Sequence, residues 1–134
     1  MEKFVYKTRV RYAEIDQMGI AYYGSYFLYM ESARTGLLRE RGYPYDQLEK
    51  KGYFLPVSET KCKYIKGAVF DEEIKTETTI GFIHNASIKF IYNIYNENSE
   101  LLAKGHTIHP VVNNEWKIIA VPDILRNALE PYLI

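Results

Sequence analysis

The stretch AEIDQMGIAYYGSYFLYMESARTGLLRER, from Ala13 to Arg41, decides the fold of this chain. Its first seven residues show no hydrophobic period, which is typical of a loop. From Tyr23 or Ser25 onward, apolar residues recur at steps of three and four, a period that predicts an amphipathic helix up to Arg41. Ser25 is the expected N-cap, and Gly42 followed by Pro44 is a strong stop signal. The stretch therefore predicts a loop that runs directly into the longest helix of the chain.

The remaining sequence is dominated by patterns of β-strands. Clean alternation of apolar and charged residues from 3 to 12 predicts a half-buried strand. Further strands are predicted at 57–65, 73–83, 87–96, 100–112 and 115–120. A turn at 96–99 predicts a hairpin, and short helices are expected at 45–50 and after Pro122. We therefore expect an α+β fold, with an antiparallel sheet of five or six strands wrapped around one long helix.

Length and composition favour one soluble domain covering residues 1–134. Lys and Arg balance Asp and Glu at 17 each, so there is no global electrostatic attraction toward nucleic acid or acidic membranes. Cys62 is the only cysteine, which excludes intramolecular disulfides and cysteine-rich zinc sites. The N-terminus lacks an apolar signal core and no run approaches the ~20 apolar residues of a membrane span, so we expect a cytoplasmic protein.

Asp16 is the strongest candidate for chemistry because of its position ahead of the long helix. The first backbone N–H groups of a helix have no intrahelical partner and carry partial positive charge. They can stabilise the negative charge that develops on a carbonyl oxygen, while a nearby carboxylate attacks the carbonyl carbon or activates water. Gly19 and Gly24 permit close approach of the backbone to a ligand. By spacing alone, a simple turn role for Asp16 is the more common alternative.

The segment Tyr12–Tyr26 resembles the signature of the 4-hydroxybenzoyl-CoA thioesterase family, which has the hotdog fold. An aspartate lies three residues before a glycine, and two apolar residues, two aromatic positions and a tyrosine that opens the helix follow. Residues 30–34 continue the match along the helix, and weaker likenesses at 63–72, 101–107 and 119–122 follow in the order of the family. The bacterial branch associated with the Tol–Pal system is similar.

The resemblance implies an acyl-CoA thioesterase in which Asp16 is the nucleophile or general base. The backbone N–H of Tyr23 would be the oxyanion donor, with Gly24 and Tyr26 beside the substrate. Many members have histidine at the position of Tyr23, so this chain lacks that candidate acid or base. Ser87 falls where the resemblance places a contact to the nucleotide or pantetheine arm.

The phosphates of CoA need local positive charge, because the chain as a whole is neutral. Lys89 near Ser87 is one candidate, and lysines at 61, 63 and 66 are others. The alternative, which spacing slightly favours, is that these lysines keep solvated strand edges from aggregating. We expect no metal site, because His106 and His109, three residues apart in a strand, point to opposite faces. We expect no redox cofactor either, and the chain has no glycine pattern of a dinucleotide-binding loop.

Two other functions remain open from the sequence. One is a non-catalytic module that binds acyl-CoA or acyl carrier protein, and the other is an enoyl-thioester hydratase or dehydratase. Asp16 disfavours the first, and the missing histidine at Tyr23 disfavours the second. The resemblance also implies a homo-oligomer, a dimer and in many members a dimer of dimers, with active sites at the subunit boundary. Thirteen tyrosines suit such an interface.

Overall fold

The computed structural model describes all 134 residues, from Met1 to Ile134. The strands are β1 (Phe4–Arg9), β2 (Glu59–Tyr64), β3 (Glu73–Ile83), β4 (Ser87–Asn96) and β5 (Leu101–Pro110). The α-helices are α1 (Ser25–Glu40), α2 (Tyr45–Lys50) and α3 (Asp123–Leu129), and short 3-10 turns cover Tyr12–Glu14 and Glu130–Tyr132. The long helix, the short helices and the hairpin of β4 and β5 are confirmed.

The five strands form one antiparallel sheet in the order β1-β3-β4-β5-β2. One face of the sheet is apolar because strand residues alternate: Ile88, Phe90, Tyr92 and Ile94 of β4 are all fully buried. Helix α1 lies on this face. Its buried side consists of Tyr26, Tyr29, Met30, Ala33, Gly36, Leu37 and Leu38, together with Ser25. The predicted α+β architecture is confirmed.

Two glycines allow α1 to approach the sheet closely. A Cβ at Gly36 would lie 2.9 Å from a ring carbon of Tyr6 in β1. A Cβ at Gly105 would overlap the methyl carbon of Met30 and the carbonyl oxygen of Lys61. The helix therefore crosses the sheet in contact with both β1 and β5. This crossing fixes where the N-terminus of α1 lies, and with it the loop that carries Asp16.

The predicted strand at 115–120 is wrong, so the sheet has five strands and not six. Asn113 Oδ1 accepts hydrogen bonds from the backbone N–H groups of Glu115 and Lys117, which bend the chain into a tight turn. Trp116 in this turn has a φ of 60°, which no strand residue adopts. The segment keeps only a short hairpin contact, with an isolated bridge between Val112 and Ile118 and hydrogen bonds from the N–H groups of Asn113 and Ile119 to the carbonyls of Lys117 and Val111.

Several element boundaries differ from the sequence prediction, and two of them lie next to the loop of Asp16. The first strand ends at Arg9, three residues before its predicted end, and the chain then forms the 3-10 turn of Tyr12–Glu14. Ser25 is the first residue of α1 and not its N-cap, a position that Gly24 occupies. The hydroxyl of Ser25 donates instead to the carbonyl oxygen of Glu14 at 2.9 Å. Its polar side chain therefore fixes the preceding loop to the helix.

Candidate active site

The loop before α1 is a small closed hairpin with Asp16 at its turn. The N–H of Tyr22 donates to the carbonyl of Glu14 at 2.8 Å, which closes the base. The N–H of Asp16 donates to the carbonyl of Ile20 at 2.9 Å, and the N–H of Gly19 returns to the carbonyl of Asp16 at 3.0 Å. Gly19 has a φ of 81°, a conformation that favours glycine. The backbone of Asp16 is thus held on both sides.

Only one oxygen of the Asp16 carboxylate forms a hydrogen bond within the turn. Its Oδ1 accepts a hydrogen bond from the N–H of Met18 at 2.8 Å, the local contact expected of an aspartate in a turn. Oδ2 accepts no hydrogen bond from the protein, and the side chain is half-buried. The two interpretations of Asp16 are therefore compatible, since one oxygen stabilises the loop while the other remains free for a ligand.

The start of α1 offers free backbone donors next to this carboxylate. The N–H groups of Tyr23 and Gly24 donate to no acceptor in the protein, whereas the N–H of Ser25 is bonded to the carbonyl of Tyr22 at 2.8 Å. Such unpaired N–H groups at a helix start attract negative charge. These two N–H groups can therefore donate hydrogen bonds to the carbonyl oxygen of a ligand that binds beside Asp16.

Tyr64 at the end of β2 holds the chain at this point. Its hydroxyl donates to the carbonyl oxygen of Tyr23 at 2.9 Å. Burial, followed by the neighbouring thiol of Cys62, raises the pKa of Tyr64 to about 12, so the phenol stays protonated and remains a donor at neutral pH. The peptide between Tyr23 and Gly24, which carries the free N–H of Gly24 and directly follows that of Tyr23, is thus anchored to the sheet.

Asp16 opens into a cleft of about 250 Å³ between the loop, the start of α1 and the end of β2. Its walls are largely apolar and include Met18, Ile20, Ala21, Tyr23, Tyr26 and Tyr64. The hydroxyl of Tyr26 accepts a hydrogen bond from the N–H of Ala68 at 3.2 Å, and burial raises the pKa of this phenol. At the rim, Lys66 is paired with Glu100 at 2.6 Å. The cleft thus combines an apolar lining with a single carboxylate.

The structure brings some of the predicted site residues together and separates others. Asp16, Tyr23 and Tyr26 line the same cleft, and Gly24 is the adjacent N-cap of α1. Ser87 and Lys89 lie on the opposite face of the sheet from α1, because they alternate with the buried residues of β4. Within one chain they cannot reach the cleft. Their role in substrate binding stays a prediction that requires a second copy.

Sequence reasoning missed two residues that hold the site in place. One is Tyr64, which belongs to the quoted resemblance but was assigned no role there. The other is Glu14, which is 8% exposed although it lies in a loop of polar and exposed residues. Its spacing from Arg11, three residues earlier, was the available signal for a charged contact.

No histidine lines this cleft, and Cys62 lies beside its wall residue Tyr64 without lining the cleft itself. As predicted, His106 and His109 occupy opposite faces: His106 is bonded to Glu59 at 2.8 Å, and His109 is fully buried. No group of three or more His, Cys, Asp or Glu side chains could hold a metal ion, and the expectation of a metal-free site stays a prediction. Burial raises the pKa of the Cys62 thiol, which disfavours a nucleophilic thiolate.

An antiparallel sheet carrying one long helix, with a carboxylate at the helix start, defines a hotdog-fold protein of the thioesterase class. The chain belongs to the thioesterase-like superfamily, whose family model matches residues 10–129. It is 38% identical over 109 residues to the putative acyl-CoA thioesterase YneP of Bacillus subtilis, covering 81% of this chain and 79% of that protein. It is 27% identical to the acyl-CoA thioester hydrolase YbgC of Escherichia coli, covering 78% of each.

Solved structures confirm the hotdog fold. DHNA-CoA thioesterase from Staphylococcus aureus superposes with a TM-score of 0.90 at 28% identity, covering 98% of this chain and 89% of that one. These similarities support the prediction of a thioester hydrolase. They match the thioesterase-like superfamily as a whole and do not single out the 4-hydroxybenzoyl-CoA family within it.

No helix of the chain combines the length and apolar composition needed to cross a bilayer.

Proposed function

We propose that this protein hydrolyses acyl-CoA thioesters to a free acid and CoA. The observation that carries the proposal is the Asp16 carboxylate, with one free oxygen, in an apolar cleft beside the unpaired N–H groups of Tyr23 and Gly24. The activities named for the similar proteins support the same reaction. The reaction needs no metal or redox cofactor, since a carboxylate and backbone donors supply the required chemistry.

In the proposed mechanism the thioester carbonyl oxygen binds to the N–H of Tyr23. Asp16 then follows one of two routes. Its carboxylate attacks the carbonyl carbon, the C–S bond breaks, CoA leaves as the thiolate, and water hydrolyses the resulting anhydride. Alternatively, the carboxylate takes a proton from a water molecule, whose oxygen attacks the carbon directly, and the C–S bond then breaks to release the CoA thiolate and the free acid. In both routes the negative charge on the carbonyl oxygen is stabilised by the start of α1.

The tyrosine at position 23 is compatible with either route. The proposed oxyanion donor is a backbone N–H, which does not depend on the side chain. The thiol of cysteine has a pKa of about 8.5, and a thiolate is therefore a good enough leaving group to depart without a general acid. A histidine at this position is therefore dispensable for thioester hydrolysis, whereas hydration of an enoyl thioester requires a residue that donates a proton to carbon.

The test is release of free thiol from acetyl-, medium-chain and aromatic acyl-CoAs by wild type, Asp16→Asn and Tyr23→Phe. Asp16→Asn keeps the shape of the turn and removes the charge, so we expect at least about a hundredfold loss of kcat. Tyr23→Phe keeps the backbone donor and should be far milder. Full activity of Asp16→Asn would exclude this mechanism, and a wild type that binds the panel but releases no thiol would favour the binding module.

The two routes can be separated with isotopes. We expect a single turnover in water enriched in heavy oxygen to label Asp16 only if an anhydride forms and water attacks its aspartyl carbonyl. The same panel of acyl-CoAs identifies the preferred acyl group, including the 4-hydroxybenzoyl group of the resembling family.

We further propose a homo-oligomer in which the cleft is completed by a second copy. Ser87 and Lys89 lie on the face away from Asp16, so they can contact CoA bound at a cleft only in another copy. The edge strand β2 and exposed apolar side chains beside the cleft support such an assembly.

A further inference from the structure

Glu14 is a buried carboxylate in an otherwise exposed segment. It is 8% exposed, while Arg11, Tyr12 and Ala13 are all exposed. A buried charge is costly unless hydrogen bonds and opposite charge compensate it. The side chain therefore occupies this position because of specific partners.

The partners join the loop to the helix. Glu14 Oε1 accepts hydrogen bonds from the N–H of Arg11 at 2.9 Å and from the hydroxyl of Tyr29 at 3.0 Å, and Oε2 accepts from Arg11 Nε at 2.8 Å. The Arg11 side chain is 73% exposed, so solvent screens its ion pair with Glu14. The bond to Tyr29 is buried, and it links the loop to the second turn of α1.

The protonation states of this pair are fixed at neutral pH. Burial alone raises the pKa of the Glu14 carboxyl, but the hydrogen bonds from Arg11 and Tyr29 outweigh it and hold the pKa below its ordinary value. Burial, followed by the bond to Glu14, raises the pKa of the Tyr29 phenol. Tyr29 is thus always the donor and Glu14 the charged acceptor.

The backbone of Glu14 makes the same connection a second time. Its carbonyl oxygen accepts from the N–H of Tyr22 at 2.8 Å and from the hydroxyl of Ser25 at 2.9 Å. The first bond closes the hairpin that carries Asp16, and the second joins it to the first residue of α1. One residue therefore fixes the loop to the helix through both its side chain and its backbone.

We propose that Glu14 is a positioning residue, which sets the Asp16 carboxylate at its working distance from the N–H groups at the start of α1. It contacts neither Asp16 nor the cleft and acts through the hairpin and through Tyr29. The inference rests on the proposed thioester hydrolysis. A misplacement of about 1 Å between reacting groups lowers rates by about a hundredfold, so a contact that fixes this geometry affects kcat.

The test compares Tyr29→Phe and Glu14→Gln with wild type on the best acyl-CoA. Tyr29→Phe removes only the donor, and Glu14→Gln removes the charge while keeping its shape. We expect each to lower kcat about tenfold, the effect of losing one charge-assisted hydrogen bond, and to leave KM within about twofold. Since both changes weaken the same contact between Tyr29 and residue 14, the double variant should be no slower than the slower single variant.

Matched controls separate positioning from general damage. Tyr43→Phe and Glu49→Gln repeat the two substitutions at sites with no side-chain hydrogen bond and should retain wild-type kcat. Circular dichroism at the assay temperature gives the folded fraction, to which kcat is normalised. If Glu14→Gln does not fold, Tyr29→Phe decides alone.

Wild-type kcat in folded Tyr29→Phe, or a rise of KM alone, would overturn the role of Glu14. Asp16→Asn in the same assay distinguishes the two failures. If Asp16→Asn is inactive and Tyr29→Phe is fully active, only the positioning inference is wrong. If Asp16→Asn is fully active, the proposed function itself is wrong.

Discussion

At the scale of single residues, the site depends on polar side chains that form hydrogen bonds within the protein and hold the loop and the start of α1. Asp16 uses Oδ1 to hold its own turn, and Tyr64 donates to the carbonyl of Tyr23. Glu14 accepts from backbone and side chain alike. Several residues therefore share the task of holding the site in place, and none of them differs in type from an ordinary loop or strand residue. Single substitutions can separate these roles.

Tyr64→Phe tests the anchor on the peptide after Tyr23. The ring remains in the cleft, and only the hydrogen bond to the carbonyl oxygen of Tyr23 is lost. A net hydrogen bond contributes about 1 kcal/mol, so we expect kcat to fall about fivefold. Tyr95→Phe, on the outer face of β4, is the control. Equal kcat for Tyr64→Phe and wild type would show that the start of α1 needs no such anchor.

His109 is expected to make the protein sensitive to acid. It is fully buried, with Nδ1 bonded to the carbonyl of Leu55 at 3.0 Å and Nε2 to the hydroxyl of Thr107 at 2.7 Å. Burial lowers the pKa of His109 to about 4, against an ordinary value of 6.5. Below pH 6.5 the unfolded chain therefore binds a proton that the folded chain does not. Stability falls as the pH drops from 6.5 to about 4, by about 3 kcal/mol from this residue, and this contribution stops growing below that.

Urea unfolding between pH 7.5 and 4 measures this contribution. We expect the free energy of unfolding of His109→Gln to decline less with acid than that of wild type. His84→Gln, at an exposed position, is the matched control and should follow the wild-type curve. Parallel curves for wild type and His109→Gln would contradict the assignment.

At the scale of elements, Gly105 of β5 lies directly against Met30 of α1 and the backbone of Lys61 in β2. Gly105→Ala adds a methyl group that would overlap Met30 and the carbonyl of Lys61. Overpacking of this kind costs about 1–3 kcal/mol, and we expect urea unfolding to report a loss in that range. Lys104→Ala, at the exposed neighbouring position, should change stability by less than about 0.5 kcal/mol. An unaltered unfolding midpoint for Gly105→Ala would show that α1 can shift away from the sheet.

The same elements show what the sequence could predict. Hydrophobic periodicity and turn residues were sufficient to predict α1 and the five strands. Burial of one face produces a period of 3.6 residues in a helix and of two residues in a strand. These patterns failed at 115–120, where apolar residues suggested a strand but the side chain of Asn113 bends the backbone into a turn. They also misplaced the N-cap, because the hydroxyl of Ser25 bonds the distant carbonyl of Glu14. Both failures are side-chain contacts that a local hydrophobic pattern does not encode.

The candidate site was predictable only in part for a related reason. Asp16 and Tyr23 are close in sequence, and a motif locates them together. The contacts of Glu14 with Tyr29 and of Tyr64 with Tyr23 span 15 and 41 residues and depend on how the sheet meets the helix. A contact of Ser87 and Lys89 with a ligand in the cleft would need a second copy, whose placement the local pattern of one chain does not encode.

At the scale of the whole molecule, the cleft lies at the margin of the sheet and not at its centre. Strand β2 is an edge strand that pairs only with β5, and five of its six residues are exposed. Leu28 and Val57 beside it are each 48% exposed, and Tyr23 and Tyr64 at the cleft are exposed as well. An open edge flanked by apolar side chains favours pairing with another chain. The molecule is therefore expected to bury this margin in a subunit contact.

Light scattering coupled to size exclusion tests this assembly. We expect wild type to have at least twice the chain mass of 15.7 kDa. Leu28→Glu places a charge beside the β2 edge, and burying it in a subunit contact would be costly, so this variant should shift toward the monomer. It should also lose activity, because Ser87 and Lys89 of the second copy no longer reach CoA at the cleft. Ile118→Glu, which is exposed at the distant Asn113 turn, should keep both the mass and the activity of wild type. A monomeric and fully active wild type would show instead that one chain suffices, and that the outer-face residues of β4 have no part in substrate binding.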